Sequence, residues 1–162
     1  MADPTNLGRH PAENIDWPTA YKTLLRHGMN LPTEVQWEYA CRASTTTAWY
    51  WGPSTGDQLR HAFKNKLACP DPVGGKPPNP FGLHDTHTNV MEWCLDVAAH
   101  GSVKPRSGDG LREASPRERL RMVRGGGFGR PAMETRSSSR AVRFNPEHYN
   151  RDLGLRAVIR LL

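Results

Sequence analysis

A chain of 162 residues suffices for one domain with a single hydrophobic core, while 15 glycines, 14 prolines and only 36% hydrophobic residues exclude a helical bundle and a regular βαβ repeat. No apolar run approaches the ~18 residues of a membrane span, and Met1 to Arg9 carries no signal-peptide stretch, so a cytoplasmic location is the default expectation. Charge is uneven: residues 104–162 hold 14 basic against 6 acidic side chains, and residues 1–103 hold 8 against 10. Thirteen of those 14 are arginines, dispersed and with few aromatics between them. That pattern reads as hydrogen-bonding clamps in a loop-rich fold rather than a nucleic-acid face.

Residues 1–9 read as a polar lead-in to one domain over 10–162. Asp16 is placed to cap a helix that buries Trp17, Ala20, Tyr21, Leu24 and Leu25 and stops at Gly28. A second helix opens on a capping box, Thr33 with Gln36 three residues on, behind Pro32. Glu34 there complements the helix dipole. Trp37, Ala40 and Cys41 share one face, and the helix ends near Ala43. From Trp49 to Phe81 the chain is loop, with Trp49 and Trp51 as aromatic anchors. Cys41 and Cys94 sit among apolar neighbours and are expected to be buried, leaving Cys69, beside Pro70, as the exposed thiol. Three scattered cysteines make neither a disulfide framework nor a zinc cluster.

The stretch from Pro77 to Cys94 organises the rest. Prolines and Gly82 fix a turning backbone, Asp85 and Glu92 follow with polar residues between them, and Trp93 with Cys94 anchors the end. Two readings of the residues stand. A rigid, oxygen-rich loop suits a hard cation such as calcium, and a surface turn capped by Asp85 with a solvated Glu92 is the commoner use of such residues. Asp96 to Arg119 then reads as an exposed excursion, Leu120–Arg124 as a strand, and Gly125–Gly127 as a sharp turn or close approach with no phosphate-cradle pattern around it. Leu155–Leu162 reads as a closing strand. Two helices, short antiparallel strands and much loop predict an α+β fold.

Four separated blocks, Leu31–Ala40, Pro80–Asp85, Asn89–Trp93 and Arg124–Phe128, followed by Arg136, Arg140 and Gly154-Leu155-Arg156, resemble the formylglycine-generating enzyme (sulfatase-modifying factor) family. The resemblance implies a loop-rich variant of the C-type lectin fold. It also implies a calcium ion held by the side chains of Asp85 and Glu92 and the backbone carbonyls of Thr88 and Val90. A second calcium site of the family falls on Phe63, which cannot serve it. The family domain begins with a further strand upstream, so a longer chain or a partner is expected to complete the sheet. The family oxidises a sulfatase cysteine with copper held by two cysteines, and the matching positions here are Arg130 and Thr135. Soft Cu(I) needs thiolates, so copper and the oxidase activity are not expected.

The expected function is therefore a non-catalytic domain binding a peptide or other ligand over Phe128–Tyr149, with Arg130, Glu134, Arg136, Arg143 and Tyr149 as contacts. The alternatives are a formylglycine-generating oxidase, or a non-haem-iron oxygenase of the same scaffold using His84, His87 and His100.

Overall fold

The computed structural model describes residues 9–54, 56, 69–98, 103–113, 117–140 and 142–159. Helix α1 (Trp17–Arg26) opens where the Asp16 carboxylate accepts from the Thr19 N–H at 2.8 Å and closes at His27, followed by Gly28 at φ +70°. Its buried face holds Ala20 and Leu24, whereas Leu25, expected inside, is 48% exposed. One turn of helix cannot bury neighbouring positions equally once Leu24 points at the core. Helix α2 (Glu34–Arg42) has the expected capping box: Thr33 Oγ1 accepts from the Gln36 N–H, and Gln36 Oε1 accepts from the Thr33 N–H at 2.9 Å. It ends on Ala43 in the left-handed region at φ 47°.

Four strands make one sheet: β1 (Met91–Val97), β2 (Arg121–Arg124), β3 (Arg143–Phe144) and β4 (Leu153–Gly154), in the order β3-β2-β1-β4. The β1–β2 and β2–β3 pairs are antiparallel, but β4 joins β1 in parallel, which corrects the expectation of antiparallel strands throughout. A parallel neighbour needs a long crossover, and the chain between β1 and β4 supplies it. Strand β1 begins within the central stretch and takes in Asp96, which is fully buried rather than part of an exposed excursion.

Each face of the β1–β2 pair meets one helix. Trp93 and Val123 pack with Ala20 and Leu24 of α1, and Cys94 and Met122 pack with Trp37 and Cys41 of α2. A strand covered on both sides lacks apolar/polar alternation, as Trp93-Cys94-Leu95 does, and the one charge before it, Glu92, is buried and paired.

The closing strand lies earlier than expected. Among the described residues Leu153–Gly154 pairs in the sheet, ahead of the Leu155–Leu162 span, where Val158 makes an isolated bridge to Asn30 in both directions at 2.9 Å. Between them the chain leaves the sheet at Arg156, whose side chain turns towards Glu92, and residues 160–162 lie outside the described set. At Gly154 a Cβ would sit 2.1 Å from the Ala12 carbonyl oxygen, so only glycine fits. Gly126 combines φ +70° with a Cβ position 2.7 Å from Thr135 Cγ2, the close approach expected of the glycine run.

Candidate functional site

The central loop is stapled to α2 before it reaches the sheet. Asn79 Nδ2 donates to the Ala40 carbonyl at 2.7 Å, and its Oδ1 accepts from the Phe81 and Leu83 N–H groups at 3.0 Å each. The backbone then enters the left-handed region at Asp85 (φ 59°) and again at Asn89 (φ 70°). Both side chains are tied down: Asp85 Oδ2 accepts from the Gly74 N–H at 2.8 Å, and Asn89 Oδ1 accepts from the Asp71 N–H at 3.0 Å. Burial pushes the Asp85 carboxyl above its ordinary 3.8. The loop walls a cleft of about 540 Å³ whose lining includes His84, Asp85, Val90, Glu92 and Arg156.

Glu92 is not solvated. Its side chain is 6% exposed and faces the Arg156 guanidinium. Arg156 Nε donates to Oε1 and Oε2 at 3.1 and 3.0 Å, Arg156 Nη2 donates to Oε1 at 2.7 Å, and Trp37 Nε1 donates to Oε2 at 2.7 Å. Arg156 Nη2 also donates to the His84 carbonyl at 2.9 Å. Of the four residues expected to hold calcium, Asp85, Val90 and Glu92 line the cleft and Thr88 is buried. The donor set as arranged does not fit a calcium ion, because both Glu92 oxygens already accept from a cation. Phe63, the position of the second expected site, lies outside the described residues.

The copper positions offer no soft donor. Arg130 Nε donates to Asp152 Oδ2 at 3.1 Å, and Thr135 Oγ1 donates to the Ala132 carbonyl at 2.8 Å while accepting from Trp49 Nε1 at 2.9 Å. Against Thr135 lies a buried pair, His87 and Cys41. His87 Nδ1 donates to the Thr135 carbonyl at 2.7 Å, which leaves Nε2 facing Cys41 Sγ at 3.5 Å. Burial pushes the imidazole down to about 4 and the thiol up to about 12, so at neutral pH the pair is uncharged and presents no thiolate.

His84 spends its Nδ1 on the Lys76 carbonyl at 2.7 Å, and His100 lies outside the described residues. Among the described residues no group of three or more His, Cys, Asp or Glu is arranged to hold a metal.

The expected ligand surface is a short frame with projecting side chains. A 3₁₀ turn, Ala132–Thr135, pins its end with fully buried Thr135, and Ser137 is fully buried two residues on. Between and beside them Met133 is 68% exposed, and Arg136 stands over the Trp49 ring at 5.6 Å. Arg130 and Glu134 approach to 3.8 Å, Arg143 is exposed on β3, and Tyr149 is exposed. The structure thus gathers Arg130 and Glu134 with Asp152, while Arg136, Arg143 and Tyr149 stand apart as outward side chains.

Sequence reasoning missed the partners of Glu34. Its buried carboxylate receives Arg112, Arg124 and Arg140 at 2.8, 3.1 and 2.6 Å. Asp96 completes the cluster by accepting from the Glu34 N–H at 2.6 Å and the Arg112 N–H at 3.0 Å. These partners lie too far away in sequence to leave a local signal.

Two helices on opposite faces of a small mixed sheet, with long loops stapled across it, define a loop-rich α+β domain. The chain belongs to the sulfatase-modifying factor enzyme 1-like domain family, whose model matches residues 2–161. It is 35% identical over 65% of its length to the formylglycine-generating enzyme of Mycobacterium tuberculosis, and covers 40% of that protein. It is 28% identical over 96% of its length to the chaperone protein LppX of Paenibacillus barcinonensis, and covers 57% of it. The chain therefore spans about half the length of these relatives. Among solved structures, PvdO from Pseudomonas aeruginosa superposes with a TM-score of 0.79 at 25% identity, over 92% of this chain and 61% of PvdO. Treponema denticola variable protein 1 superposes with a TM-score of 0.76 at 22% identity, over 93% of this chain and 71% of that one. No helix among the described residues is long and apolar enough to cross a membrane.

Proposed function

We infer that this domain is a binding module that presents Phe128–Tyr149 to a peptide or protein ligand and carries no oxidase chemistry of its own. The observation that carries this reading is the contrast within one short segment: Thr135 and Ser137 are fully buried while Met133 is 68% exposed. A backbone so anchored presents side chains without having to order them on binding, which lowers the entropic cost of association. Exposed Met, Tyr and Arg residues are the types enriched at protein interfaces. The protonated Cys41 thiol, with Arg130 and Thr135 at the expected copper positions, supports the absence of copper chemistry.

The competing reading is an oxidase acting on a sulfatase cysteine, favoured by the name of the M. tuberculosis relative. A peptide-display selection on the purified domain, paired with an aldehyde assay on a cysteine-containing sulfatase peptide with copper and oxygen, separates the two. The expected result is binders whose affinity drops about tenfold, ~1.4 kcal/mol, in Met133→Ala or Tyr149→Ala, with no aldehyde. Aldehyde formation overturns the binding-module reading.

A further inference from the structure

We propose that Arg156 is the built-in counter-cation of Glu92 and that the domain therefore needs no divalent ion there.

A carboxylate ion offers about four lone-pair positions. Those of Glu92 meet four N–H···O contacts, one from Trp37 and three from Arg156, at 2.7 to 3.1 Å. Calcium needs its oxygens at about 2.3–2.6 Å and six to eight of them. An ion drawing on Glu92 would have to displace the guanidinium or sit beside its positive charge.

Arg156 also does what a bound ion at Glu92 does not. Its Nη2 ties the segment after β4 to the His84 carbonyl at 2.9 Å, closing the central loop against the end of the chain. The attraction is mutual: the Glu92 charge holds the Arg156 guanidinium above its ordinary basicity. Bidentate pairing of this kind is specific to arginine geometry.

The test uses the whole chain, with calcium, chelator and terbium as probes. Terbium emission is read through excitation of Trp37, which bonds Glu92 directly. Wild type should unfold at the same temperature in calcium and in chelator and give no terbium signal at this site. Arg156→Met, which keeps much of the apolar stem, should unfold at a lower temperature whether calcium or chelator is present, because Glu92 loses its paired charge and the His84 carbonyl its donor. A wild-type melting temperature that calcium raises, or a wild-type terbium signal that Glu92→Gln removes, overturns the built-in cation. An Arg156→Met protein that unfolds at the wild-type temperature overturns it too.

Discussion

Arg124 of β2 and Glu34 of α2 lie 90 residues apart in sequence and meet at 3.1 Å, with 0% and 1% of their side chains exposed. Arg124 reaches on to Glu38 at 2.7 Å and to the Ser137 carbonyl, so one guanidinium joins the second helix, the sheet and the frame of the ligand surface. A charge taken out of water is tolerated only where it is paired and hydrogen-bonded. Glu34 meets that condition with three arginines.

Removing the Glu34 charge should therefore be costly. Glu34→Gln keeps the shape and leaves Arg112, Arg124 and Arg140 without their shared counter-charge. The expected loss is about 3–5 kcal/mol in urea unfolding. A loss below about 1 kcal/mol, the range of exposed pairs, would show that water reaches the cluster.

Acid should weaken the fold through His87. Its folded value of about 4 lies below the ordinary 6.5, so the unfolded chain takes up the proton first. The stabilisation is complete above pH ~6.5 and is lost as pH falls towards 4, by about 3 kcal/mol in all. Asp85 and Asp96, both raised by burial, act in the opposite sense just above their ordinary 3.8. The His87 contribution is therefore read as the difference in pH slope between wild type and His87→Asn. Equal slopes in the two proteins would show that this imidazole is solvated.

Thiol labelling should separate the cysteines into one and two. Cys69 is exposed, whereas Cys41 and Cys94 are buried. Burial raises both inner thiols, Cys41 to about 12. A disulfide reagent should modify one thiol quickly in the native protein and the other two only as it unfolds. Rapid reaction at Cys41 would reveal an opening next to His87 and Thr135.

Local features were legible in the sequence. The Asp16 cap, the Thr33–Gln36 capping box and the burial of Cys41 and Cys94 depend on neighbours within a few positions, and the structure has them as read. Strand β1 was less so. Trp93 and Cys94 read as an anchor, but a strand buried on both faces lacks the alternation that marks one. Glu92 shows the limit most clearly. Its position in the loop suggests that a cation answers it, and nothing in the spacing says that the cation is an arginine 64 residues onward. Which opposite charge finds a buried carboxylate is settled by the chain's path through space.

The pairing of α1's flanks with the far end of the chain has a consequence for synthesis. The Asn14 N–H donates to the Asn150 and Leu153 carbonyls, the Trp17 N–H to the Pro146 carbonyl, and Asn30 bridges Val158. A ribosome delivers the first helix early, and more than a hundred residues must emerge before these partners exist. Until Trp93 and Val123 follow, Ala20 and Leu24 have no sheet to cover them. Helix α1 is thus made well before the partners that hold its flanks, and contacts so distant in sequence are slow to form.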